Sequence, residues 1–314
     1  MHLLERLYKI HSPSKGEMVL STFIQNYLTH KGVEFNIDHL GQIYSLNNHN
    51  SPLISAHLDQ VQTVPCEEVQ KVAGGSVWRS KTGLGADDKN GIWICLQLID
   101  LFPDINFLFT TQEEIGSMGL KSLLLSTDIQ ESLEEIPYAL IFDRRGAGDI
   151  IGKQNGYCTG EFEEDVSEIG KEYGFYPCFG VYSDCDVLNE YMSCVNLSCG
   201  FFEAHSKEEY TVIPILKNTL EFAVDILNTL EERYEIPEPI FVPPYRFTKT
   251  FGSDTGYDDV WDDVWNEESL FCPSCGELIP EDAIMWIEEG DSMECSFCFS
   301  IIQIEDITDD YPKM

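Results

Sequence analysis

Apolar residues recur along this chain in two rhythms. The stretches 53–59, 105–110, 137–142 and 194–199 carry short runs that are apolar nearly throughout, as strands buried on both faces are. Between them, apolar positions fall three and four residues apart and predict helices. The clearest are 88–101, with Ile92, Cys95, Leu96 and Ile99 on one face, and 212–233, with Leu216, Leu220, Ala223, Ile226 and Leu227. Residues 116–125 and 162–174 read as weaker helices, and 2–10 as a short one. A further helix runs from Ser14 to about His30. Ser14 and Glu17 have capping-box spacing, and Gly32 stops the helix. Residues 33–37 and 42–46 read as paired strands, and 60–80 has strand character broken at Gly74-Gly75. Tyr182–Leu188 opens a helix with Ser183 or Asp184 as its cap, and Asp87 or Asp88 would cap 88–101. Strands alternating with helices predict an α/β protein, a three-layer α/β/α sandwich around a mixed, mostly parallel sheet.

Near residue 236 the rhythm stops. Pro237, Pro239, Pro243 and Pro244 mark an extended linker, followed by an acid-rich stretch with Trp261 and Trp265. Then come Cys272-Pro-Ser-Cys275 and Cys295-Ser-Phe-Cys298, with 19 residues between the pairs. This spacing predicts a zinc ribbon with one structural zinc ion. The expected organisation is a catalytic domain over 1–236, a Pro-rich and acidic linker over 237–268, and a ribbon over 269–314.

Length and charge narrow the functions. At 314 residues the chain can bury a full core, in one large or two unequal domains. A net charge of −36 argues against nucleic acid and anionic membranes as partners. The ribbon is itself acidic, with Glu277, Glu281, Asp282, Glu288, Glu289, Asp291 and Glu294. The same charge allows attraction of cationic ligands or metal ions, and serves solubility equally well. No apolar stretch reaches the ~18 residues of a membrane span. The 11 cysteines are an odd number and follow no signal-peptide pattern, so reduced thiols and a cytoplasmic location are expected.

The chemistry gathers at predicted strand ends. Strand 105–110 leads to adjacent carboxylates, Glu113 and Glu114, and neighbouring side chains of an extended segment point to opposite faces. They can therefore do different work, one holding a metal and the other acting on a water. Strand 53–59 ends in His57-x-Asp59, whose two side chains share a face. Asp87 follows a glycine-rich turn, Asp143 ends strand 137–142, and His205 follows strand 194–199. Two imidazoles and three carboxylates suit two zinc ions.

These motifs resemble those of the co-catalytic dinuclear zinc exopeptidases, the clan of peptidase T, the glutamate carboxypeptidases and the bacterial zinc aminopeptidases. The resemblance covers residues 1–235. It rests on Ser-Ala-His57-Leu-Asp59, Gly85-Ala-Asp87-Asp88-Lys89-Asn-Gly91, Thr-Gln-Glu113-Glu114-Ile-Gly, Phe-Asp143 and His205-Ser-Lys-Glu-Glu-Tyr210. It implies that Asp87 bridges two metals. His57 and Asp143 complete one site, and Glu114 and His205 the other. Asp59 orients His57, Glu113 is the general base, and the Asp87–Asp88 peptide is cis. Asp184 resembles a segment near the substrate pocket. The ions would be zinc, or cobalt or manganese. The 62 residues from Asp143 to His205, where many relatives insert a lid or dimerisation domain, read as ordinary helices and strands, and the 28 from Asp59 to Asp87 are too few for the insert of another branch. Oxyanion stabilisation would then fall to zinc, helped by Arg144 or Tyr210. The expected function is hydrolysis of short peptides, as an aminopeptidase. The alternatives are an amidohydrolase or deacylase of small N-acyl compounds, or a non-enzymatic zinc-binding interaction protein. An open cleft has to be narrowed, and residues 245–314 are expected either to restrict access to it or to build the contact of a homo-oligomer.

Overall fold

The computed structural model describes residues 1–238 and four short strands beyond, at 270–271, 278–279, 292–294 and 301–303. The chain divides into two compact units, Met1–Phe241 and Val242–Met314. The first begins with α1 (His2–Tyr8), α2 (Met18–Lys31), β1 (Asn36–Ile37), β2 (Ile43–Ser45), β3 (Leu53–His57), β4 (Gln70–Val72) and β5 (Val77–Arg79). Next are α3 (Ala86–Leu101), β6 (Asn106–Thr110), α4 (Met118–Leu123), α5 (Thr127–Glu134), β7 (Ala139–Arg144) and β8 (Asp149–Ile151). It ends with α6 (Gly160–Tyr173), β9 (Tyr176–Cys178), α7 (Cys185–Leu188), β10 (Cys194–Ser198), β11 (Phe201–Phe202), β12 (Tyr210–Val212) and α8 (Ile213–Thr229).

Period-two alternation builds the layers. On β6, Phe107 and Phe109 enter one core and Leu108 the other. On β7, Leu140 and Phe142 oppose Ala139 and Ile141; on β3, Ile54 and Ala56 oppose Leu53. Helices α1, α2, α3, α6 and α8 cover the first face, and α4, α5 and α7 the second. With both faces covered, a strand must be apolar throughout, which is the pattern of the sequence. The main sheet has the order β1-β2-β6-β3-β7-β10-β8-β9. Its four central strands, β6, β3, β7 and β10, are mutually parallel, while β2 and β8 join them antiparallel. A second, antiparallel sheet has the order β11-β12-β5-β4. The structure is the expected three-layer sandwich.

Several local expectations change. Helix α3 is buried all round from Ala86 to Leu96, where a single apolar face was expected, because it is enclosed by the sheet and by α1 and α8. Its Gly91 takes no side chain, since a Cβ there would collide with the Phe142 carbonyl oxygen. The capping box does not form. Helix α2 starts at Met18 with no side-chain cap, and Ser14 and Glu17 bond elsewhere. Asp184 holds the cap position of α7 without capping it. Asp88 does behave as a cap, because regular helical dihedrals begin only after it and its Oδ1 accepts from Gly91 N. Strands β8 and β9 and helix α5 were not anticipated. The strands are three residues each, and α5 buries only Leu133, so their patterns are too brief to read.

The interval 144–204 is filled by β8, α6, β9, α7, β10 and β11, with no inserted lid domain. No helix of the described residues is long and apolar enough to cross a membrane. The second unit contains two antiparallel strand pairs, β13 (Leu270–Phe271) with β14 (Leu278–Ile279), and β15 (Ser292–Glu294) with β16 (Ile301–Gln303). Cys272, Cys275, Cys295 and Cys298 lie outside the described residues.

Candidate metal centre

The carboxyl ends of the central parallel strands meet the start of α3, as sites in open α/β sheets do. His57 is the last residue of β3 and Asp59 lies two beyond it. Glu113 and Glu114 follow β6, and Asp143 is in β7. His205 lies between β11 and β12 at a φ of 62°, a left-handed conformation unusual for its residue type. Asp87 occupies the irregular first turn of α3, and its peptide bond to Asp88 is cis.

Asp87 faces both imidazoles. Its Oδ1 is 3.3 Å from His57 Nε2 and its Oδ2 is 3.1 Å from His205 Nε2. Asp143 Oδ1 is 3.4 Å from His57 Nε2, and Glu114 Oε2 is 3.2 Å from His205 Nε2. Glu113 Oε2 stands 4.0 Å from His57 Nε2. Ligand atoms of His57, Asp87 and Glu114 are mutually close enough to hold an ion, as are those of His57, Asp88 and Asp143. Asp88 is already committed, however, since its two oxygens accept from His57 N (3.2 Å) and Gly91 N (3.0 Å). Asp87 is the better donor.

Burial and neighbouring carboxylates set the electrostatics of the cluster. Burial raises Glu113 well above the ordinary carboxylate range, and the nearby Asp143 adds to it. Burial also raises Glu114, with Asp87 adding to it, and pushes Asp143 up to about 7. Burial opposes charge on His205, but hydrogen bonds to Asp87 and Glu114 outweigh it and lift the imidazole to about 11. Likewise His57 is raised despite burial, by Asp143 first, and Asp87 is held far below its usual range by His205 and His57. His57 Nδ1 and Glu114 Oε1 are buried with no hydrogen-bond partner. An all-nitrogen-and-oxygen donor set of this kind suits zinc or a neighbouring divalent ion.

Asp59 does more than face His57. Its Oδ1 is 3.4 Å from His57 Nδ1, outside hydrogen-bond geometry, and accepts from Glu113 N at 2.9 Å. Its Oδ2 accepts from Glu114 N (3.2 Å) and from Ser14 Oγ (2.7 Å). Four neighbours lie in segments singled out from the sequence, but with roles that the sequence did not assign. Ser14 was one, and Glu17 another: Glu17 Oε1 accepts from Lys15 N (2.9 Å) and Gln112 N (3.2 Å). Glu209, fully buried, accepts from Leu84 N (2.8 Å), Ala86 N (3.0 Å) and Asp87 N (3.2 Å) and clamps the loop that carries Asp87. Lys89, buried within α3, donates to Gln60 Oε1, and burial pulls it down to about 7. Only long-range pairing reveals these; no local spacing does. Asp184, noted from its motif, accepts from Thr110 Oγ1 at 2.6 Å beside β6. Arg144 gives its Nε to Asp149 (2.9 Å), and the Tyr210 ring stacks on Phe202.

The fold is that of the metal-dependent exopeptidases. Aminopeptidase PepT from Bacillus cereus superposes with a TM-score of 0.59 at 16% identity, over 71% of this chain and 96% of that one. The TET1 peptidase of Pyrococcus horikoshii, which can assemble into a tetrahedron or a large octahedral shell, gives 0.57 at 14% identity, over 73% and 99%. In sequence, the chain is similar to a Pyrococcus furiosus protein assigned as a LysW-lysine/LysW-ornithine hydrolase, 25% identical over 181 residues. That match covers 55% of this chain, which thus spans about half the length of the relative (50%). No family model matches.

Proposed function

We propose that the chain is a dinuclear metal-dependent hydrolase that cleaves the amide bond of short peptides, as an aminopeptidase. The observation that carries this reading is the Asp87 carboxylate, whose two oxygens face two different imidazoles at 3.3 and 3.1 Å. His57 and Asp143 would hold one ion, and His205 and Glu114 the other. When bound, the two ions would acidify a water and polarise the scissile carbonyl. Glu113, buried with its Oε2 4.0 Å from His57 Nε2, would take the proton and pass it to the leaving amine. Asp59 fixes the backbone from which Glu113 and Glu114 diverge.

A second reading is an amidohydrolase releasing a basic amino acid from a conjugate, in line with the Pyrococcus furiosus relative. The net charge of −36 is compatible with a cationic substrate. The test is a screen of aminoacyl and N-acyl substrates, including lysyl and ornithyl amides, with added zinc, cobalt or manganese. Turnover of free-amine peptides supports the first reading, and turnover restricted to N-acyl compounds supports the second. No metal-dependent turnover on either class overturns both.

The second unit we read as a ribbon with its own zinc. The strand pairs β13–β14 and β15–β16 bracket, in sequence, residues 272–277 and 295–300, which contain the two cysteine pairs. Elemental analysis should then approach three ions per chain, two of them lost with the catalytic site and one with the cysteines. The reading extends to a homo-oligomer in the cytoplasm, checked by solution mass and by fractionation of the expressing cells.

A further inference from the structure

We infer that Ser14 and Glu17 are positioning residues: the segment 11–17 is a latch that aims the Glu113–Glu114 loop from outside the metal centre. The inference rests on the reading of Glu113 as general base. Adjacent carboxylates must serve opposite sides of the centre, so the backbone between them has to be fixed in rotation as well as in place. Three successive N–H groups do this. Gln112 N donates to Glu17, Glu113 N to Asp59 Oδ1, and Glu114 N to Asp59 Oδ2. Gln112 sits at a φ of 57°, a left-handed turn in a residue that rarely adopts one, so the loop needs outside bonds to keep it.

Both accepting carboxylates are themselves set by the N-terminal segment. Ser14 Oγ donates to Asp59 Oδ2 at 2.7 Å, which fixes how that carboxylate straddles the two N–H groups. Glu17 stands immediately before α2, and Leu20, Ile24 and Leu28 anchor that helix in the core. The segment is tied down at its other end as well. Gln60 N donates to Ser12 O (3.0 Å), Ser12 N to Gln60 Oε1 (3.3 Å), and His11 Nε2 meets Gln62 O (2.8 Å). The latch therefore bridges the ends of β3 and β6, the strands that bring His57 and the glutamate pair.

The test uses the full metal-loaded chain. Ser14→Ala should lower kcat by about 10- to 100-fold, the scale for removing a hydrogen-bond partner behind a metal site. KM should change by no more than roughly twofold, since the latch touches no substrate. Metal stoichiometry should stay the same, and deuterium exchange should quicken across 112–114 but not across 53–57. Ser14→Thr, which keeps the hydroxyl, should restore both kcat and protection, and Glu17→Ala, which removes the acceptor, should loosen 112 first. Unchanged kcat with unchanged exchange in Ser14→Ala and Glu17→Ala would overturn the latch. Loss of metal in step with kcat would also overturn it, by reducing Ser14 to a folding role. If the wild type hydrolyses nothing, the proposed function falls while the exchange data still decide the latch.

Discussion

His57 and His205 face one carboxylate from opposite sides, yet they are held in different ways. His57 ends a central strand and is 2% exposed, with Asp59, Asp87 and Asp143 packed around it. His205 projects from a loop, its side chain 34% exposed, and the loop holds Glu203 and His205 in left-handed conformations. The chemistry of the two donors is the same, but the mechanical support is not. A ligand on a sheet cannot leave without disturbing paired strands, whereas a ligand on an exposed loop can open locally. The His57 half should therefore bind its ion tightly and exchange it slowly, and the His205 half should be the one that empties first.

The largest expected effect tests what the halves share. Glu113→Gln keeps shape but no basic carboxylate, and turnover should fall by roughly 10²- to 10⁴-fold with metal content unchanged. Near-normal turnover would mean that the base lies elsewhere.

Next in size is the contrast between the imidazoles. His57→Ala should lose both ions and activity together and lower the melting temperature, because it leaves buried carboxylates without a partner. His205→Ala should lose one ion, retain the other and melt close to the wild type. Identical metal losses in elemental analysis would erase the comparison.

A pH dependence follows from the same groups. Burial raises Asp143 from 3.8 to about 7 and Glu209 from 4.5 to about 7. The folded metal-free protein therefore keeps protons that the unfolded chain releases, so its stability falls as pH rises from about 4 to about 7. Ion binding must displace the Asp143 proton, and also that of His205, held up to about 11, so affinity rises over the same range. The gain in melting temperature on adding zinc should be larger at pH 7.5 than at pH 5.5. A gain that is flat, or larger in acid, would count against these carboxylates as ligands.

The smallest effect concerns the loop alone. Ser206 Oγ donates to Glu203 O (2.7 Å) and accepts from Glu208 N (3.1 Å) beside His205. Ser206→Ala should speed release of one ion to a chelator by about two- to tenfold, the scale of one modest hydrogen bond, and leave the other unaffected. Equal acceleration of both would show that the halves open as one unit.

Local pattern alone determined much of this protein. The doubly buried strands were legible because a covered strand must be apolar at every position, as Phe107, Leu108 and Phe109 are. The donor types at strand ends were legible because sheet topology carries such ends to one place. Tertiary structure decided the rest. Ser14 and Glu17 have the spacing of a local cap, yet the buried Asp59 carboxylate and the Gln112 N–H each needed a partner and took them. Asp184 gave up its helix for Thr110 in the same way, and Glu209 found three N–H groups more than 120 residues away in sequence. Leaving a buried polar group unpaired costs more than an exposed cap returns, so long-range satisfaction overrides local spacing wherever both are open to one side chain. Where those partners lie is fixed only once the strands have paired.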